Sequence, residues 1–183
     1  MKVGKNTIIS PKVSIYGGDR IEIGDNVRVD DFCILSSGSS GEGYIKIGSH
    51  SHIPVFCALF GGAGIILEDF ATLCARDSLY SESDDFSGES LMGPMILMKY
   101  KIKYKKGLIY LKRHTIIGTG AIIMPGVTTE EGTCIGAFSL VNKSCTVPWS
   151  FYAGVPAKLI RERKKGMLEL EKQFLKEYEE RNK

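Results

Sequence analysis

Histidine is scarce in this chain, and paired cysteine motifs are absent. Only three histidines occur among 183 residues, His50, His52 and His114. The first two are two positions apart and the third lies sixty-two beyond His52, a spacing that does not suggest one tetrahedral zinc site. The five cysteines, Cys33, Cys57, Cys74, Cys134 and Cys145, are odd in number, scattered and without Cys-x-x-Cys spacing. That excludes a disulfide framework and a cysteine zinc motif, so they read as reduced thiols and no metal is expected. Cys33 and Cys57 each lie four residues past a repeat aliphatic, where a small inward side chain fits as core filler. No apolar run approaches the roughly eighteen residues of a membrane span, and Met1-Lys2-Val3-Gly4 carries no leader signature. The expected location is cytoplasmic. A net charge of +3, mixed along the chain, points to neither nucleic acid nor a membrane surface as partner.

What the chain does have is a six-residue beat. Ile117, Ile123, Ile135, Val141 and Val147 fall on one register, broken only by Thr129 and continued by Ala153. The same beat runs through Val3, Ile9, Ile15 and Ile21, then shifts to Ile23, Val29 and Leu35, to Ile47, Ile53 and Leu59, and to Leu67, Leu73 and Leu79. A unit this short cannot bury its apolar face alone and must stack on the next. It suits one short strand plus a turn, so three units close one triangular coil of a parallel β-helix. Gly17-Gly18-Asp19-Arg20-Ile21-Glu22-Ile23, Glu42-Gly43-Tyr44-Ile45-Lys46-Ile47 and Gly61-Gly62-Ala63-Gly64-Ile65-Ile66-Leu67 mark successive corners, where glycine takes positive φ without steric cost. An outward Ser/Gly-rich loop is expected from about Ser37 to Gly43.

Two segments interrupt the beat. The first, 84–110, holds an acidic start, a Met/Pro-rich stretch and the basic run Lys99, Lys101, Lys103, Lys105 and Lys106. A loop this long in a compact repeat fold is functional or disordered. Its alternation of lysine and aliphatic residues from Lys99 to Lys105 suits a short edge strand. The second is the tail 161–183, where Met167, Leu170, Phe174 and Tyr178 recur at helical spacing. An amphipathic helix is expected there, capping the last coil or packing on a neighbouring subunit. The domain division is therefore a β-helix over 1–160, with the loop inserted, and a helix over 161–183.

The run Ile116-Ile117-Gly118-Thr119-Gly120-Ala121-Ile122-Ile123-Met124-Pro125-Gly126-Val127 resembles the hexapeptide-repeat acyltransferases. So do Ile135-Gly136-Ala137-Phe138-Ser139-Leu140-Val141-Asn142-Lys143 and Tyr152-Ala153-Gly154-Val155-Pro156-Ala157-Lys158. The resemblance covers about residues 3 to 163 and implies a left-handed parallel β-helix, an exception to the usual crossover hand. It also implies a homotrimer with acetyl-CoA lying in the groove between subunits. Ser83-Asp84-Asp85-Phe86-Ser87-Gly88-Glu89 resembles a subgroup of bacterial sugar acetyltransferases associated with surface-polysaccharide biosynthesis, including that of lipopolysaccharide.

Acyl transfer from a thioester needs a proton acceptor, a stabilised oxyanion and two substrates held in line. The family's usual base is a histidine before the Gly-Ala-rich rung, but this chain has Tyr80-Ser81-Glu82-Ser83-Asp84-Asp85 there. Two candidates compete. A carboxylate among Glu82, Asp84 and Asp85 could serve, and mutual repulsion in a partly buried site would raise one pKa; the same residues would equally suit a solvated turn. His52 precedes the inward Ile53, so its side chain points outward, where a neighbouring subunit's groove would meet it. His50 sits nearer a corner, and His114 lies where the coil resumes.

For the cofactor, Gly118, Gly120 and Ala121 leave room for a pantetheine arm and offer backbone N–H groups; Gly136, Ala137 and Ser139 repeat that arrangement one coil on. Gly154, Pro156, Ala157 and Lys158 resemble the family's segment beside the adenine, and Arg161, Arg163, Lys164 and Lys165 could pair with the phosphates. The same glycines could instead serve only tight corners. The expected activity is acetyl transfer from acetyl-CoA to an amino group of a nucleotide-linked amino sugar, with the loop lysines and Arg113 offered to its diphosphate. The alternatives are O-acetylation of a sugar hydroxyl and a non-catalytic β-helix assembly subunit. A carbonic anhydrase on the same coil would need three clustered histidines.

Overall fold

Aliphatic-x-aliphatic segments flanked by turns form strands of two or three residues in the computed structural model, which describes residues 1–38 and 41–181. Each strand pairs in parallel with its counterpart one coil away, as the repeat predicts. On the first face Lys2–Val3, Ile21–Ile23, Ile45–Ile47, Ile65–Leu67, Ile109–Leu111 and Thr128–Thr129 stack in that order. The third face stacks Ser14–Tyr16, Ile34–Ser36, Ala58–Phe60, Ser78–Tyr80, Ile122–Ile123 and Leu140–Val141. The second face breaks between His52–Ile53 and Thr72–Leu73, where the Thr72 hydroxyl donates to the His52 carbonyl at 3.1 Å. It then continues through Ile116–Ile117, Cys134–Ile135 and Ser150–Gly154, and ends on an antiparallel strand, Ala157–Glu162. Ser39 and Ser40 of the expected Ser/Gly-rich loop lie outside the described residues.

The inward side chains form one dry core. Ile23, Ile47, Leu67 and Leu111 line one wall, Ile53, Leu73, Ile117 and Ile135 the second, and Leu35, Leu59, Leu79 and Ile123 the third, all buried. Thr129 keeps the beat despite its polarity, because its hydroxyl shares a hydrogen bond with that of Thr115 at 2.9 Å inside the core. The last coil departs from the expected register. Cys145, not Val147, stands beside Thr129 and is buried, while Val147 is exposed. Tyr152, not Ala153, stands beside Ile135 and points inward.

The corners also differ from expectation. Glycine with positive φ turns the third corner at Gly17, Gly64 and Gly126, but the other two mostly use larger residues in the left-handed region, with glycine at Gly132 in one and Gly120 in the other. Asn6, Asn26, His50, Phe70 and His114 form one column; Phe32, Phe56 and Arg76 belong to the other. A left-handed backbone costs energy for such residues, and ring contacts between successive coils offset it: His50 stacks on Phe70 at 4.7 Å and Phe32 on Phe56 at 5.3 Å.

Helix formation begins later than expected. Residues 157–162 are strand, and the helix is Met167–Arg181; the last two residues of the predicted span lie outside the described residues. Rather than capping the last coil, it lies along the first corner. Phe174 and Tyr178 meet His50 edge-on at 5.2 and 5.4 Å. Asn6 Nδ2 donates to Tyr178 Oη, which donates to Asn26 Oδ1 at 3.0 Å. Glu171 bonds Arg113 and, at 2.8 Å, His114. Burial works against its charge, but those two partners outweigh it and hold its carboxyl below the usual range.

Two stability tests follow from this packing. Ile65→Ala, at a fully buried position, should lower unfolding free energy in urea by about 2–5 kcal/mol, and a change well under about 1 kcal/mol would contradict the tight core. Asp77 is buried at the second corner, where it accepts the N–H groups of Cys74 and Ala121 at 2.9 and 3.0 Å. Burial nevertheless pushes its pKa up to about 7 from 3.8. A raised carboxyl contributes stability that is full below the unfolded pKa and lost as pH rises through the folded one. The melting-temperature difference between the native protein and Asp77→Asn should therefore move against the native protein from pH 4 to 7 and level off above; an opposite slope would show that the backbone donors, not burial, dominate.

Candidate functional site

After Tyr80 the chain leaves the third face. Glu82–Ser83 pairs antiparallel with Lys105–Lys106, making a neck from which the intervening residues fold back over the coil. Of the expected edge strand only Lys105–Lys106 is extended; Lys99 sits in a short 3-10 turn, Met98–Tyr100, because Lys101 is drawn inward. The Lys101 ammonium is buried against Asp84, 2.9 Å from Oδ1, and the Gly93 N–H donates to Oδ2 at 2.9 Å. Asp85 accepts the Ser87 N–H at 3.0 Å, the Ser87 hydroxyl at 2.8 Å and the Glu89 N–H at 3.2 Å.

These contacts correct the expectation of a raised carboxylate. The hydrogen bond from Lys101 holds Asp84 below the usual range, and the backbone N–H of Ser87 does the same for Asp85. In both, hydrogen-bond donors and a nearby lysine outweigh the effect of burial. Glu82 stands apart from both: its carboxylate occupies the space a Cβ on Gly62 would need, 1.9 Å from that position, and Lys106 lies 3.3 Å away. Next to it, burial and then the Glu82 charge push the Tyr104 hydroxyl up to about 12. Sequence reasoning passed over Tyr104, since nothing local distinguishes it from other loop aromatics.

Two cavities meet at Glu82. One, about 640 Å³, lies between the loop and the coil, with Tyr16, Ser36, Lys101, Tyr104 and Lys106 on its walls. The other, about 310 Å³, has Tyr80, Phe86, Ile122 and Met124 around Glu82 and Asp84. Two of the predicted acids, Glu82 and Asp84, and two of the predicted lysines, Lys101 and Lys106, thus line these cavities, whereas Asp85 lines neither. His52 is not among them. It faces out from the second face, with Nε2 at 2.8 Å from Asp30, which Arg28 also holds at 2.6 Å. His50 is committed to the aromatic column and His114 to Glu171.

The predicted cofactor residues divide into two groups. Gly118, Gly120 and Gly136 donate their N–H groups to Ile135, Ala75 and Tyr152, so those groups are spent within the coil and are not open to a pantetheine arm. A Cβ on Gly118 would stand 2.7 Å from the Ala137 nitrogen, and Gly120 combines φ +73 with the Phe138 ring at 2.7 Å. Ala121 is fully buried with its N–H on Asp77, and buried Ser139 accepts the Gly154 N–H at 3.1 Å to fasten the terminal hairpin. Close stacking of coils explains this group. Ala137, Pro156, Lys158 and Arg161 are exposed along the same end of the coil, Arg161 lying 5.4 Å over the Phe151 ring. Arg163 instead donates to the Gly132 carbonyl at 2.5 Å. Among the described residues no three His, Cys, Asp or Glu side chains gather to hold a metal, and no helix is long and apolar enough to cross a membrane.

No family model matches the chain. It is 41% identical over 172 residues to the dTDP-4-amino-4,6-dideoxy-D-glucose acyltransferase of Escherichia coli, covering 94% of this chain and 87% of that protein. Among solved structures, a point mutant of the N-acyltransferase AntD from Bacillus cereus, in complex with dTDP-4-amino-4,6-dideoxyglucose and coenzyme A, superposes with a TM-score of 0.90 at 48% identity, covering 96% of this chain and 91% of that one. The hexapeptide-repeat acetyltransferase VCA0836 from Vibrio cholerae, at 19% identity and a TM-score of 0.58, shares the fold. With a stacked coil that repeats every six residues and likeness along nearly its whole length, the chain belongs to the hexapeptide-repeat acyltransferases.

Proposed function

We propose that this protein transfers an acetyl group from acetyl-CoA to the sugar amine of a dTDP-linked 4-amino-4,6-dideoxyhexose. The observation that carries this reading is the full-length likeness to two acyltransferases, one named for that sugar and one solved with it. The site has matching chemistry. Lys101 and Lys106 would meet the diphosphate, as cations do phosphates, while Tyr16 offers an aromatic face, 60% exposed, to a nucleobase. Exposed Lys158 and Arg161 would meet the phosphates of CoA.

In the reaction the neutral amine attacks the thioester carbonyl, the C–N bond forms, the C–S bond breaks and the nitrogen sheds a proton. We assign that proton to Glu82. Asp84 and Asp85 are held ionised by their donors, which makes them weak bases suited to shaping the loop and orienting the amine. His52, held by Asp30 at 2.8 Å, supports a second reading, in which a neighbouring copy in a homotrimer offers its second face and His52 takes the proton. An N-acyl nucleotide sugar formed this way suits lipopolysaccharide or other surface-polysaccharide assembly, and the reading puts the protein in the cytoplasm.

The test is release of free CoA thiol with acetyl-CoA and dTDP-4-amino-4,6-dideoxyglucose. Glu82→Gln should lower kcat by roughly 10²-fold with little change in the KM for acetyl-CoA. Near-normal turnover in that variant with a loss in His52→Ala would transfer the role to His52; no turnover by the native protein would end the reading. Independently, Lys158→Ala with Arg161→Ala should weaken CoA binding roughly tenfold or more in calorimetry. The loss should be smaller with dephospho-CoA, and equal losses with both ligands would remove these residues from the 3′-phosphate.

A further inference from the structure

The smaller cavity is unusual in being apolar below and acidic above. Ile122 and Tyr80 are outward positions on neighbouring strands of the third face, and Met124 follows Ile122 by one further outward step. Ile122 is 39% exposed and Phe86, arching from the loop, is 86% exposed. Large apolar side chains left open in one place usually mark a binding site. The floor cannot be shifted easily: Tyr80 stacks on Phe60 at 5.3 Å, and Ile122 is anchored between Ser139 and Ser78 in the coil. Glu82 and Asp84 stand at the rim.

The geometry points to this floor as the feature that selects a 6-deoxy sugar: Ile122, Met124, Tyr80 and Phe86 receive the C6 methyl while the rim carboxylates face the amine. The inference rests on the acceptor proposed above and goes beyond it by naming what reads the methyl. An aminodideoxyhexose has one cationic or hydrogen-bond-donating edge and one methyl edge, and the cavity presents a complementary surface to each. A 6-hydroxyl would lie against Ile122, Met124 and the Phe86 ring, none of which offers it a strong hydrogen-bond partner. Hydrophobic pockets discriminate on such differences by roughly 10- to 200-fold.

The experiment compares kcat/KM for dTDP-4-amino-4,6-dideoxyglucose and dTDP-4-amino-4-deoxyglucose, which differ only by the C6 hydroxyl. The native protein should prefer the deoxy sugar by roughly 10²-fold. Ile122→Thr with Met124→Gln, both at partly exposed positions that should leave folding intact, should cut the preference below roughly tenfold, chiefly by losing activity on the deoxy sugar. Phe86→Ala, on the exposed loop, should move it the same way by itself. A native protein active on both sugars without preference, or variants that lose activity equally on both, would overturn the assignment and leave the proposed function standing. A native protein inactive on both would overturn the two together.

Discussion

Every coil hydrogen-bonds to the coil before and the coil after, and that backbone ladder is the constraint on which the rest of the molecule depends. Ile65–Leu67 lies in register with Ile45–Ile47 on one side and Ile109–Leu111 on the other. A slip of one residue would turn all three inward walls to solvent. The ladder explains why a large insertion is tolerated. Leu67 and Leu111 are forty-four residues apart in sequence yet directly paired, whereas Ile47 and Leu67 are twenty apart. Closing a longer loop costs only slowly more, and the neck of Glu82–Ser83 on Lys105–Lys106 brings the chain back where it left. The inserted loop is therefore hung on the coil without altering its register.

The corners carry a second constraint that the walls do not. Each corner must redirect the chain from one face to the next within a few residues, and two of them do so largely with asparagine, histidine, phenylalanine or arginine in a conformation that disfavours them. Stacked rings recover part of that cost, and along the first corner the terminal helix adds more. Phe174 and Tyr178 meet the His50 ring, and Tyr178 spans Asn6 and Asn26. His50 gives up some of its basicity for this, since burial lowers its pKa. Two of the three histidines thus serve the corner column, which explains why scarcity of histidine says so little about catalysis here.

The walls were legible in the sequence because a six-residue period is a local signal. Ile23, Ile47, Leu67 and Leu111 could be aligned by spacing alone. Legibility failed wherever the outcome depended on a contact distant in sequence. Cys145 displaced Val147 because the last coil is shortened, and the strand 157–162 replaced helix because Ser150–Gly154 was there to pair with it. Asp84 and Asp85 looked mutually repulsive as neighbours, yet Lys101, Gly93 and Ser87 decide their charge. The acids and lysines of the candidate site were readable as residue types; the two cavities and Tyr104 were not, since both arise from how the loop folds back.

The glycines illustrate how one motif can carry two explanations. A family resemblance invites reading Gly118, Gly120 and Gly136 as ligand contacts, but each is already required by the close approach of the next coil. The two readings are compatible only in one direction. A cofactor can lie against a surface that stacking has made flat, but stacking cannot be relaxed to suit a cofactor, because every N–H involved is already bonded within the coil. Selectivity must then come from groups the ladder leaves free. Those are the outward side chains of the third face, the exposed cations of the terminal hairpin and the inserted loop, and they are the places where the same coil can be adapted to a different acceptor without disturbing its core.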